Sequence, residues 1–181
     1  LSPELRFGAL DGTRLILVAT DLNTGNAHLF GLDPNDVLID GLLASTALPP
    51  WIGPLNNQHG LLVDGGAVSN LPIEPALAQG ATHILALDVS DRRVLNATAH
   101  DAKTFLLRLL LTVELRQIHV EKQLAATRGV PVHHVVLSAD PPLESWDLAR
   151  VEPLFAQGYA QMQRYLAQHP QALAAMGAPC R

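Results

Sequence analysis

Cysteine is almost absent: the only one in 181 residues, Cys180, stands next to Arg181 at the end of the chain. That excludes an internal disulfide framework and a cysteine-based metal site. No apolar run approaches the roughly 20 residues needed to cross a bilayer. No basic-then-apolar segment opens the chain as a secretory signal would. Positive charge is scarce as well. Twelve Lys and Arg against seventeen Asp and Glu give −5 with histidine neutral, and without a basic cluster no nucleic-acid partner is expected. The first residue is Leu1 rather than Met, so the chain is expected to be part of a longer protein. What remains is the composition of a folded unit, 48% hydrophobic and 16% charged, which excludes a disordered segment. A chain of this length buries about 70% of its extended surface. No repeat, low-complexity tract or linker divides it, and residues 1–181 read as a portion of one domain.

The periodicity predicts an α/β order. The run Arg14–Thr20 is β-branched and aliphatic, as in a strand buried on both faces. Turn formers at 21–26 and a returning strand at 27–30 complete a hairpin. Asp33 and Pro34 predict a helix start, with Val37, Leu38, Leu42 and Leu43 at helical spacing and an end near Pro49-Pro50. Residues 49–60 read as loop, and Leu61–Val63 as a short strand. A helix is expected from about Asn70, near the capping position, to Gly80, followed by a strand at 82–89. Strand, helix and strand within 61–89 predict a right-handed crossover in a parallel sheet. Beyond it the pattern predicts a long helix at 101–128, a strand at 132–137, a loop opened by Pro141-Pro142, and a last helix at 147–167. On the long helix Lys103, Glu114, Gln117, Glu121 and Arg128 share one stripe, which reads as the wet face.

The strongest chemical signal is Leu61-Leu-Val-Asp-Gly-Gly-Ala-Val68. A carboxylate where a buried strand gives way to two glycines sits at the edge where open α/β sheets bind ligands. Gly65 and Gly66 allow another group to approach Asp64 closely. A plain hairpin turn uses the same residues, and local sequence does not separate the two readings.

The neighbours do. Val18-Ala-Thr-Asp-Leu-Asn-Thr-Gly25, Ala44-Ser-Thr-Ala-Leu-Pro49 and Leu62-Val-Asp-Gly-Gly-Ala-Val-Ser-Asn-Leu-Pro72 closely resemble, in order and spacing, the C-terminal part of the patatin-like phospholipase catalytic domain. Gly80–Asp88 resembles that family's next strand. The resemblance covers roughly residues 12–90, with Gly158-Tyr159 a less specific match to the closing segment. It implies a three-layer α/β/α fold with a mostly parallel sheet flanked by helices, incomplete in this chain.

It also implies a serine/aspartate dyad. Asp64 is the position that matches the family's aspartate, which accepts the serine proton as the hydroxyl attacks an ester. An acyl-enzyme follows that water clears. Gly65, Gly66 and Asn70 shape that motif. The family's nucleophile lies in Gly-x-Ser-x-Gly, and none of Ser2, Ser45, Ser69, Ser90, Ser138 and Ser145 does. No glycine-rich stretch supplies oxyanion donors either. Both features are expected upstream of Leu1, so these 181 residues alone are expected to be inactive. The implied substrates are phospholipids or related acyl lipids, with no cofactor and no metal. A catalytically silent acyl-lipid-binding module and an acyltransferase on the same dyad remain open alternatives.

Other residues are weaker candidates. Ser45 and Ser69 read as backbone-satisfying or turn serines. His133 and His134 are adjacent and point to opposite strand faces, His119 lacks a partner at i+4, and His59 reads as a loop residue. Trp51, Ile52 and Leu55 are candidates for an acyl-chain pocket, or for a simple cover over the sheet edge. Phe105–Leu111 is apolar nearly all round. It reads as buried core, as a face covered by the missing N-terminal part, or as a membrane-surface contact. A cytoplasmic or peripheral-membrane location fits the lack of disulfides.

Overall fold

The protein's structure, a computed structural model, describes residues 2–49, 51–96, 101–142 and 150–172. Strands β1 (Leu17–Asp21) and β2 (Asn26–Phe30) form the expected hairpin, in register from Leu17↔Phe30 to Asp21↔Asn26. Asp21 closes it. Its Oδ1 accepts from the Asn23 N–H at 2.9 Å, its Oδ2 from the Thr24 hydroxyl at 2.8 Å, and Gly25 adopts φ 73°.

Helix α1 (Leu38–Ser45) begins four residues later than its sequence predicts. Asp33 Oδ1 accepts instead from the Asn35 N–H at 2.8 Å, and Asp36 N–H bonds the Asp33 carbonyl. Asp33 thus closes a turn of its own rather than capping the helix.

The largest departure concerns the sheet. Residues 49–60 are not all loop: Leu55–Asn57 forms β3, antiparallel to β4 (Gly60–Asp64). With β1 on its other side, β4 has both edges occupied, and the four-stranded sheet runs β2-β1-β4-β3, antiparallel throughout. A parallel partner after β4 therefore has no edge to join. The parallel pair forms one unit later: β5 (Ile84–Asp88) and β6 (Val132–Val136) pair from Ile84↔Val132 to Asp88↔Val136 across helix α4 (Ala102–Thr127). The fold is mixed α/β, but the described sheets are mainly antiparallel, which corrects the expectation of a mostly parallel sheet. The crossover expected within 61–89 is likewise replaced by β5–α4–β6.

Between β4 and β5 lie two short helices, α2 (Gly66–Ser69) and α3 (Ile73–Ala78). Helix α5 (Val151–Gln168) ends the described chain; positions 147–149 of the predicted helix, Ser145 and Cys180 fall outside the described residues. Two apolar clusters hold these parts. Phe7, Ala19, Phe30, Leu38, Ala44 and Leu62 pack between the antiparallel sheet and α1. Leu71, Ile73, Leu77, Ile84, Ala86, Ile118 and Ala125 pack α3 and β5 against α4. Helix α2 bridges them, touching β1, β2, α3 and α4.

The middle of the polar stripe of α4 is not wet, although Arg128 at its end is exposed. Glu121 is 5% exposed, and Glu114 and Gln117 are half-buried. The outward side instead carries Phe105, Leu106, Leu109, Val113 and Val120, with Phe105 62% exposed. Within Phe105–Leu111 only Leu111 is buried, and Leu107 and Leu110 are half-buried, so the segment as a whole is not core. The inward polar groups answer local need. Helices α2 and α3 leave backbone groups at their ends without intrahelical partners, and α4 meets them. Gln117 Nε2 donates to the Ala67 carbonyl at 2.8 Å, and Glu121 Oε2 accepts from the Glu74 N–H at 2.8 Å. That carboxylate caps α3 from a neighbouring helix; Pro72 holds the capping position without a side-chain bond, and Asn70 lies at the end of α2 instead. Among the described residues no helix is long and apolar enough to cross a membrane.

Candidate active site

Asp64 ends β4 opposite Ala19 of β1. Three segments distant in sequence hold it. Its N–H donates to the Ala47 carbonyl at 3.1 Å, and its own carbonyl accepts from the Thr20 hydroxyl at 2.8 Å. Its Oδ1 accepts from the Gly66 N–H at 2.7 Å. The Val18–Gly25, Ala44–Pro49 and Leu62–Pro72 segments thus converge on a single residue. Thr20 and Ala47 had no role in the sequence reading, although both lie inside the quoted segments.

The two glycines are required for different reasons. Gly65 has an ordinary φ of −66°, but a Cβ there would run into the Val18 carbonyl oxygen and lie 2.8 Å from its carbon. A Cβ on Gly66 would lie 3.1 Å from both Asp64 Oδ1 and Asn70 Oδ1. Glycine therefore lets the turn close onto β1 and lets the carboxylate sit against its own turn.

The side chain is half-buried and opens on a cavity of about 280 Å³, lined by Ile16, Leu17, Val18, Ser45, Asn70 and Pro72 among others. Burial pushes the Asp64 carboxyl above the ordinary carboxylate range, partly opposed by the Gly66 N–H. Only Oδ1 takes a hydrogen bond among the described residues, so Oδ2 is free to receive a proton.

A second layer lies behind it. Asn70 Nδ2 donates to Glu114 Oε2 at 3.1 Å and to Ser90 Oγ at 3.4 Å. Burial, then the charges of Asp64 and Asp88, raises the Glu114 carboxyl. Asp88, at the end of β5, is 2% exposed. Burial alone would raise it, but bonds from Ser90 and His134 outweigh that and hold it low. Neither Glu114 nor Asp88 was singled out as a site residue. The signal for Glu114 was its place on a polar stripe whose facing segment carries free helix ends.

Several candidates lie elsewhere. Trp51 and Ile52, each 40% exposed, and Leu55, in β3 against the sheet core, are not in the lining of this cavity. Ser45 and Ser69 are. Ser69 Oγ donates to Glu121 Oε1 at 2.7 Å in a buried pair, which commits that hydroxyl away from Asp64. His59 packs on His28, ring centroids 4.8 Å apart. His134 Nε2 is 2.9 Å from Asp88 Oδ2, whereas His133 Nδ1 is 3.3 Å from the Tyr165 hydroxyl. No group of His, Cys, Asp or Glu fit to hold a metal occurs among the described residues. A larger hollow, about 850 Å³, lies between β6 and α5, apart from Asp64. Its polar lining includes three glutamines, Tyr165, Arg164, Asp140 and His134, and two of the glutamines are occupied. Gln157 and Gln161 bond the backbone of Asp140 and Ser138 as a neighbouring strand would.

The family model for patatin-like phospholipases matches residues 7–77, the stretch that contains Asp64, Gly65, Gly66 and Asn70. Among curated proteins, no match to the chain was found.

Proposed function

We propose that this chain carries the base of a serine/aspartate lipid acyl hydrolase, with Asp64 as the base and phospholipid or related acyl esters as substrates. One observation supports the reading above the others. A strand-end carboxylate, partly desolvated and with a raised proton affinity, lines a cavity inside the family-matched stretch and keeps its Oδ2 without a hydrogen bond among the described residues. A base that acts without histidine works best when its pKa lies near the working pH, and partial burial moves Asp64 that way.

In the proposed reaction a serine hydroxyl, supplied upstream in the longer protein, gives its proton to Asp64 Oδ2 as its oxygen bonds the ester carbonyl carbon. The tetrahedral adduct expels the alcohol, which takes the proton back, and leaves the acyl-enzyme. Water then repeats the step with Asp64 again receiving the proton, and the serine is regenerated. Ser69 is a poor source of that hydroxyl because Glu121 holds it.

The test uses the longer protein, a chromogenic short-chain ester and a fluorophosphonate probe. Asp64→Asn is expected to lower turnover by about 10²–10⁴-fold, the usual worth of a general base, and to suppress labelling. The 181-residue chain alone is expected to give neither signal. Undiminished turnover in Asp64→Asn, or labelling of this chain by itself, would refute the assignment.

A further inference from the structure

Asn70 stands between two carboxyl groups, and its amide has only two ways round. With Nδ2 toward α4 it meets two acceptors, Glu114 Oε2 at 3.1 Å and Ser90 Oγ at 3.4 Å, and Oδ1 then lies over Gly66 on the side of Asp64 Oδ1. Rotated by half a turn, it would bring Nδ2 to the Gly66 side and turn a donor toward the side where Asp64 Oδ1 lies, both places being 3.1 Å from the position of a Gly66 Cβ. A hydrogen bond to an ionised carboxylate favours the charged form and weakens it as a base. In the observed orientation Asp64 takes a single donor among the described residues, the Gly66 N–H.

We propose that Glu114 is a positioning residue for Asp64, acting through Asn70: its carboxyl oxygen fixes the amide with Nδ2 turned away from the base. Glu114 does not line the cavity, so it acts without touching substrate. Among the described residues, the charged and titratable groups around it are Asp64 on β4 and Asp88 at the end of β5, the latter with His134 at 2.9 Å and Arg92 at 3.4 Å. Beyond them Arg93 pairs with Asp91, and Glu121 follows on the same face of α4, bonded to Ser69. Burial first, then the charges of Asp64 and Asp88, raises the Glu114 carboxyl, and Glu114→Gln removes its charge while keeping an acceptor for Asn70. Glu114→Leu removes that acceptor at similar volume.

This inference rests on Asp64 being the base, but it is tested without turnover, by following the Asp64 carboxyl through a pH titration with ¹³C NMR on the full chain. Glu114→Leu is expected to move the Asp64 midpoint down, Glu114→Gln to leave it in place, and Asn70→Ala to abolish the effect of Glu114→Leu. In the unmodified protein the Asn70 side-chain ¹⁵N signal is expected to follow the titration of Glu114 rather than that of Asp64, which keeps the test alive if a variant fails to fold. An unmoved Asp64 midpoint in Glu114→Leu, or the same shift in the Asn70→Ala background, would overturn the proposal, as would an Asn70 signal that follows Asp64. If the titrations behave as expected and the longer protein shows no Asp64-dependent hydrolysis, the function proposed above fails and the positioning role stands. Hydrolysis without the coupling has the opposite meaning.

Discussion

At the scale of single residues, Asp64 carries a cost that its neighbours do not remove. Its carboxyl is raised in the folded protein by burial. Ionising it therefore favours the unfolded chain as pH climbs from the ordinary carboxylate range through the raised value. Asp64→Asn keeps an acceptor for the Gly66 N–H and removes that charge. Its melting temperature is expected to equal the parent's in acid and to exceed it at neutral pH, by about 2–4 °C for each kcal/mol relieved. Thermal melts across pH check this; a gain that is largest in acid would contradict it. Gly65 makes the opposite demand. Its φ suits alanine, so the cost of Gly65→Ala is purely the clash with the Val18 carbonyl group. An overpacking penalty of about 1–3 kcal/mol is expected, read as a lowered denaturation midpoint.

At the scale of elements, short helices decide the arrangement. With four and six residues, α2 and α3 leave most of their backbone groups to outside partners, and the inward side chains of α4 supply them. Ser69→Ala leaves Glu121 Oε1 buried without its donor. A loss of about 1–3 kcal/mol is expected in chemical denaturation; no loss would mean that the pair is structurally idle. The same short helices limit what the sequence can reveal. The hairpin, β4, β5, α4 and β6 were legible because periodicity and turn residues report directly on them. The inward stripe of α4 was not: Glu114, Gln117 and Glu121 at helical spacing suggest water, and only a facing segment with unpaired N–H and C=O groups reverses that inference. β3 was hidden for a different reason. Leu55–Asn57 is three residues long, follows three prolines and a glycine, and has its strand character from pairing with β4 rather than from propensity.

At the scale of the molecule, α4 separates two environments. Its two carboxylates, Glu114 and Glu121, face inward, while the opposite side shows Phe105, Leu106, Leu109, Val113 and Val120 beside exposed Arg116. With the function proposed above, we propose this face as the contact with acyl-lipid surfaces. Leu109→Glu is expected to weaken adsorption to phosphatidylcholine vesicles and to change stability by no more than about 0.5 kcal/mol, as surface substitutions usually do. A large fall in melting temperature would instead show the face covered by other protein. How the site could be read from sequence follows the same division. Asp64 and its glycines were visible because their spacing from two other segments is distinctive, and the bonds from Thr20 and Ala47 give that spacing a physical cause. Glu114 lies 50 positions further along and reaches the site only through the tertiary fold.

The strand bearing Asp64 is flanked on both sides and moored by a bond from the Thr20 hydroxyl, 44 positions away, and one to the Ala47 carbonyl, 17 positions away. Such a residue has little freedom to swing. Under the function proposed above, accommodation of bulky or kinked guests then falls to the walls and rims of the cleft rather than to the proton acceptor.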